Sequence, residues 1–294
     1  MCPSPVSKGL RPALDRLYEG FNAEHSVEDP IWRVRRYTRA DDQEVVAFIA
    51  SALAFGRVQS VLNSIDGMLK VMGPSPAAFV RGFDPSRDRE CFKPLVHRWT
   101  NGRDFAALVW LMHQMIAKSG SLEGFFAEGI AADDIDVGNA LQSFSTRALA
   151  LDVKAIYGRT KPQPGVAYFF SRPSSGGACK RLNLFLRWMV RTDKVDLGVW
   201  SKVRPSQLIV PLDTHVIRVG QCLRLTTLKS PGWRMAADIT ASLRALDPAD
   251  PIKFDFSICH LGMMNACGFG TKTGSAHCPL KGSCFPGTVR GKNP

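Results

Sequence analysis

The sequence predicts an all-α fold, and three observations carry that prediction. Apolar residues recur at the i, i+3, i+4, i+7 spacing of a buried helix face in stretch after stretch. Alternating apolar–polar runs of strand length are lacking. Pro, Gly and Ser gather in short clusters that separate the periodic stretches. With 294 residues, 45% of them hydrophobic, the chain can bury the core of one large domain or of two closely packed halves.

The elements follow in chain order. Thr38, with Asp41 three residues on, reads as a capping box ahead of EVVAFIASALAF. In DVGNALQSFSTRALAL, residues Val137, Ala140, Leu141, Phe144 and Ala148 fall on one face. RLNLFLRWMVR does the same with Leu182, Phe185, Leu186 and Met189, and HVIRVGQCL with Val216, Val219, Gly220 and Leu223. AADITASLRAL repeats the pattern with Ala236, Ile239, Thr240 and Leu243, and Asp247-Pro248 stops that helix. Breaks fall at SPAAFVRGFDPSRD, GRTKPQPG and SRPSSGGA. The second divides an N-terminal helical lobe, residues 1–160, from a second lobe, residues 161–258. The last segment, residues 259–294, is rich in Gly, Lys and Cys and too short to hold a core unless something staples it.

Net charge is +12, with pI about 9.5, and the cations are scattered rather than confined to a tail. A folded chain this basic meets a polyanion, with nucleic acid ahead of an acidic membrane. No apolar run reaches the roughly 18–20 residues of a membrane span, and the first twenty residues lack a secretory core. The expectation is a cytoplasmic, monomeric protein.

Three stretches carry candidate chemistry. In SSGGACKRLNLFLRW, Gly176 and Gly177 let the backbone approach a phosphate at a helix start. Lys180 and Arg181 lie where the helix dipole disfavours cations, a mismatch that a bound polyanion relieves. Lys180 is also an amine nucleophile if desolvated. In PLDTHVIRV, Asp213 reads as an N-cap, yet a rigid carboxylate there can also stabilise a developing cation or activate water. Arg218 beyond it reaches either a phosphate or solvent. The third stretch runs from Cys259 through Cys267 and Cys278 to Cys284 with spacing C-x7-C-x10-C-x5-C. Four such thiols in a reducing compartment read as an iron–sulfur or zinc site. An unbroken helix would hold Cys259 and Cys267 about 12 Å apart, so either the chain breaks near Gly262 or His260 or His277 supplies the fourth ligand.

In this order, a Gly-containing turn, a lysine-bearing helix, P-x-D-T-H and a C-terminal cysteine cluster resemble the helix–hairpin–helix DNA glycosylase superfamily. AFIASALAFGRVQSV, VHRWTNGRDF, VDLGVW and LIVPLDTHVIRV are most similar to an uncharacterised bacterial and archaeal branch of it, over roughly residues 10–265. The chain departs from it in lacking an L-P-G-V-G hairpin, in a longer Lys180–Asp213 interval, and in Ser275 where a cluster cysteine would stand. The resemblance implies a two-lobed glycosylase-like fold with its site in the cleft and a cysteine-cluster loop that holds a 4Fe–4S centre or, alternatively, zinc.

It implies double-stranded DNA as partner, nucleoid association, and excision of a damaged or modified base to leave an abasic site. Asp213 takes the place of the catalytic aspartate, and Lys180 that of the lysine used when the strand is also cleaved. Phe55, Arg57 and Gln59 resemble the loop that enters the duplex, and His97, Trp99 and Trp188 are candidates for the base pocket. Candidate bases are oxidised purines, alkylated bases and the glucosylated hydroxymethylcytosine of phage DNA, the last implying antiviral defence. The alternatives are a non-catalytic DNA-binding module holding an iron–sulfur or zinc centre, and a zinc-stabilised RNA-binding protein.

Overall fold

The computed structural model describes residues 9–20, 29–263 and 278–284. Among these the chain is helical, with α1 Leu10–Gly20, α2 Ile31–Val34, α3 Ala40–Ala52, α4 Val58–Met72, α5 Pro76–Arg81 and α6 Pro85–Asp88. After a short hairpin, β1 Val96–His97 and β2 Thr100–Asn101, come α7 Gly102–Ser119, α8 Leu122–Ala127, α9 Gly138–Leu149, α10 Lys154–Tyr157 and α11 Pro164–Ala167. The last four are α12 Lys180–Val190, α13 Thr214–Cys222, α14 Trp233–Arg244 and α15 Asp255–Met263.

The four helices read from periodicity bury the faces assigned to them: Phe144 on α9, Phe185 and Met189 on α12, Val216 and Val219 on α13 and Ile239 on α14 are all nearly inaccessible. The start of α3 differs from its sequence reading. The helix begins at Ala40, and its N-cap Arg39 makes no side-chain cap bond, so Thr38 stands outside it. The two aspartates of its first turn are used laterally instead. Asp41 pairs with Arg39 and Arg81, and buried Asp42 accepts from the Ala77 amide of α5 at 2.8 Å. The bond from Asp42 to an amide distant in sequence outcompetes the local box because it satisfies a buried N–H.

From Asp42 to Ala52 every residue of α3 except Gln43 is buried, which makes it the central post of the molecule. Phe48 meets Phe144, Phe170 and Phe185 at 5.1–6.0 Å, and α12 packs along α3. Those partners lie on both sides of the break at residues 158–165, and one continuous hydrophobic cluster joins Leu10 to Leu280. Buried Glu44 receives the amides of Leu122 and Glu123 and the Trp200 indole N–H, joining α3 to α8 and to the strand-like segment after α12.

A buried ion network holds the second half together. Arg187 pairs with Asp196 at 3.1 Å and Asp255 at 2.5 Å, while Arg191 pairs with Asp193, Asp196 and Asp250. Burying these charges is tolerable only because each has an opposite partner. The network ties α12 to α15. Segment 278–284 returns Cys278 and Leu280 to the core. Among the described residues no helix is long and apolar enough to cross a membrane.

Candidate active site

Buried Leu208, Ile209, Val210 and Leu212 form an extended strap, pinned by a bond from the Val210 amide to Thr240 Oγ1. The strap delivers Asp213 to the start of α13. There Asp213 Oδ1 accepts the amides of His215 at 2.9 Å and Val216 at 2.8 Å. One carboxylate oxygen is therefore the helix cap. The other, Oδ2, lies 3.1 Å from Cys259 Sγ, which donates to it, and 3.7 Å from Lys180 Nζ. The Asp213 side chain is 14% exposed and that of Lys180 40%. Lys180 and Cys259, 33 residues before and 46 residues after Asp213, thus share one oxygen.

Lys180 opens α12 behind Cys179, a non-glycine residue with φ 50° and a buried side chain. The cation at this helix start is offset by the Asp213 carboxylate. Arg181 is offset differently: buried, it donates to the carbonyls of Ala52 and Tyr168 and stacks over Tyr168 at 3.7 Å and Phe55 at 5.2 Å. Burial pulls its guanidinium down to about 10. Arg181 therefore organises the Phe55 loop from beneath rather than meeting a phosphate. The preceding turn, with Gly176 at φ 80° and Gly177, is exposed, and Gly176 accepts the Trp233 amide of α14.

Asp213, Lys180 and Cys259 line a cavity of about 640 Å³. Its walls come from the loop around Gly56, from α4, α12, α13 and α15. Val58, Val61, Leu184 and Met263 make it apolar, and Phe256 and His260, with rings 3.9 Å apart, form an aromatic side. Arg187, His215 and Asp255 add polarity. Gly262 admits no side chain here, since a Cβ would lie 2.6 Å from His215 Cβ. An apolar pocket with a few converging polar groups is the ordinary form of a small-ligand or base site.

The remaining expected residues lie at the rim or away from it. Phe55 is half-buried, packed edge-on against His97 and Tyr168 and tilted against Trp99, with ring centroids 4.5–5.1 Å apart. Arg57 and Gln59 are exposed at the start of α4, with Gln59 bonded to Asn63, and Arg218 is exposed on α13. Trp99, 54% exposed, sits with Arg98 at the tip of the β1–β2 hairpin. Arg98 there has φ 55°, and its chain lies over Gly56, a cavity residue with φ 99°.

His97 and Trp188 are inside the protein. His97 places Nε2 2.9 Å from the Phe55 carbonyl and Nδ1 2.9 Å from Ser64 Oγ, and burial pushes its pKa down. Trp188 is fully buried in the core and does not line the cavity; its volume is spent on packing. Cys259, grouped by spacing with the tail thiols, faces Asp213 instead. Burial, then the carboxylates of Asp213 and Asp255, push its thiol well above the ordinary range. Cys267 lies outside the described residues, Cys278 is buried and Cys284 half-buried. Among the described residues no three Cys, His, Asp or Glu side chains converge as a metal site.

Arg187, Asp255, Phe256 and His260 line the pocket without a sequence motif that places them there. The nearest signal is KFDFSICHLGMM, where Asp255, Phe256, Cys259, His260 and Met263 recur at helical spacing within an otherwise apolar helix. The model for DUF2400, described as a protein of unknown function, matches residues 29–264. No curated protein and no solved structure matches the chain.

Proposed function

We propose that this chain, which belongs to the DUF2400 family through that match over residues 29–264, is a DNA glycosylase of helix–hairpin–helix type. The observation that carries the reading is the division of labour on Asp213. Its Oδ1 is fixed by two backbone amides, and its Oδ2 is presented at the cavity wall beside an ammonium and a thiol. A plain cap has no need of a second oxygen held that way.

The flipped nucleotide places its base in the cavity, at a cost of a few kcal/mol that damage or mispairing lowers. As the C1′–N bond breaks, its electron pair leaves on the base and positive charge grows on the sugar. The Asp213 carboxylate stabilises that charge, and its fixed orientation spares reorganisation. Water then adds to C1′, its proton passing through Asp213 to the departing base, and an abasic site remains. Lys180 stands close enough to that same oxygen to compete with water as nucleophile, which would give a Schiff base and strand cleavage. Hydrolysis is the principal route proposed.

Around the mouth, Arg57, Arg98 and Trp99 offer cations and an aromatic face to a duplex. The hairpin tip is thus the proposed wedge, with Phe55 as the base on which Trp99 rests. The bases proposed include one carrying a bulky substituent, such as glucosylated hydroxymethylcytosine, and with it a role in phage defence; the open cavity of about 640 Å³ has room for one. An iron–sulfur or zinc centre is proposed for the tail thiols Cys267, Cys278 and Cys284, apart from the chemistry.

The test is base release from labelled duplexes bearing oxidised, alkylated, deaminated and glucosylated-hydroxymethyl bases, with borohydride trapping for Lys180. Release by the wild type, lost in Asp213→Asn, supports the reading. Tight duplex binding by both proteins with no release from any duplex would leave the DNA-binding module in its place.

A further inference from the structure

Six buried side-chain polar atoms among the described residues have no hydrogen-bond partner: Trp110 Nε1, Asn183 Oδ1, Arg187 Nη2, Trp188 Nε1, His215 Nδ1 and Asp255 Oδ1. Three of the six belong to side chains that line the catalytic cavity. Buried polar groups are almost always paired, so orphans gathered at one cavity mark where a ligand supplies the partners.

Two of these three are neighbours in one ion pair. Arg187 is 3% exposed and Asp255 2%. Arg187 spends Nε on Asp196 and Nη1 on Asp255 Oδ2, which leaves Nη2 as a donor. Asp255 spends Oδ2 on Arg187 and keeps Oδ1 as an acceptor. The bonds they do make lock both groups, so the unused donor and acceptor are held at fixed positions. Phe256, over which Arg187 also lies at 5.7 Å, provides a ring against which a planar ligand can stack.

We infer that Arg187 and Asp255 are the base-reading pair of this cavity and select a base whose exocyclic amine stands beside a ring-nitrogen acceptor. A carboxylate takes its hydrogen bond from such an amine in base recognition, and a guanidinium donates to ring nitrogens and carbonyls. Asp255 Oδ1 accepts from the amine, and Arg187 Nη2 donates to the ring nitrogen. The class comprises cytosine- and adenine-type bases, and guanine through its 2-amine and N3, with or without further substituents. Uracil and thymine, whose corresponding ring nitrogen carries a hydrogen, fall outside it. This assignment rests on the glycosylase reading for its biological meaning, but not for its test.

The test is binding of free bases to the full-length protein, followed by thermal melting and calorimetry. The probes are cytosine, adenine, uracil, and the N,N-dimethylamino analogues of the first two, which lack the donor hydrogens. Asp255→Asn is the informative variant. To keep its bond from Arg187 Nη1, the amide must turn its oxygen inward, which points an N–H donor where Asp255 Oδ1 was. Expected are binding of cytosine or adenine to the wild type, a loss of about tenfold or more on dimethylation, and a comparable loss in Asp255→Asn. Because the dimethyl comparison uses the wild type alone, a variant that fails to fold does not blunt it. Equal affinity for the dimethyl analogues or for uracil, or no binding by any base, overturns the inference. The two readings part cleanly: base release that is indifferent to Asp255→Asn removes the reading pair and keeps the glycosylase. Amine-dependent binding without release from any duplex keeps the pair and removes the glycosylase.

Discussion

Replacing Asp213 by Asn separates its two roles because the structure assigns them to different oxygens. The capping bonds to the His215 and Val216 amides both go to Oδ1. Asn caps a helix about as well as Asp, so these bonds survive with the amide oxygen in that place. The ion pair lost with Lys180 is long, at 3.7 Å, and its ammonium is 40% exposed, so it contributes about 1 kcal/mol at most. Asp213→Asn should therefore melt within a few degrees of the wild type. Asp213→Ala loses the cap as well, about 1 kcal/mol more, or roughly a further 2–4 °C. The Oδ2 position, in contrast, becomes a neutral amide NH2 facing Lys180 and Cys259, unable to stabilise positive charge at the sugar. Removing one such electrostatic contact costs about 10²–10³ in rate. Single-turnover base release and thermal melting on the same preparations read the two effects. Asp213→Asn that releases base within about threefold of the wild-type rate would refute the argument, as would Asp213→Ala and Asp213→Asn melting together while both remain active.

Four further outcomes can be measured. Burial pushes the Asp255 carboxyl up to about 6, against the pull of Arg187, from an ordinary 3.8. The folded state thus holds this proton longer than the unfolded chain. Its stabilising effect is full below about pH 4 and is lost as pH rises through about 6, an effect of about 3 kcal/mol. Denaturant titrations should show the wild type losing that much relative to Asp255→Asn over this window; a pH-independent difference would contradict it. Trp99→Ala should leave melting nearly unchanged, since Trp99 is 54% exposed, yet weaken binding to a target-bearing duplex by about 1–3 kcal/mol by fluorescence anisotropy. Unchanged binding would remove the hairpin tip from the interface. Cys259, its thiol pushed up by burial and by Asp213, should alkylate at least about tenfold more slowly than exposed Cys91 at pH 8, and faster in Asp213→Asn, by mass mapping. Elemental analysis completes that test: Cys278→Ser should lose bound iron or zinc, and Cys259→Ser should retain it.

Helical class and core faces were legible in the sequence because a helix against a core must repeat its apolar residues every three to four positions, whatever it packs on. Asp213 as a helix cap was legible for the same local reason. So was the surplus of basic charge, which is additive and needs no geometry. What Oδ2 of Asp213 faces was not legible, since Lys180 and Cys259 reach it from helices 33 and 46 residues away. Spacing joined Cys259 to the tail thiols, yet the turn of α15 aims it at the cavity. The same limit hid Arg187 and Asp255, two ordinary-looking charges in apolar helices until the packing of α12 and α15 set them at 2.5 Å. It likewise left Trp188 and Trp99 indistinguishable: one is entirely buried and the other caps an exposed hairpin. Composition and period fix which face of each helix is dry. Which side chains meet across a cavity depends on how helices distant in sequence cross, and only the tertiary structure decides that.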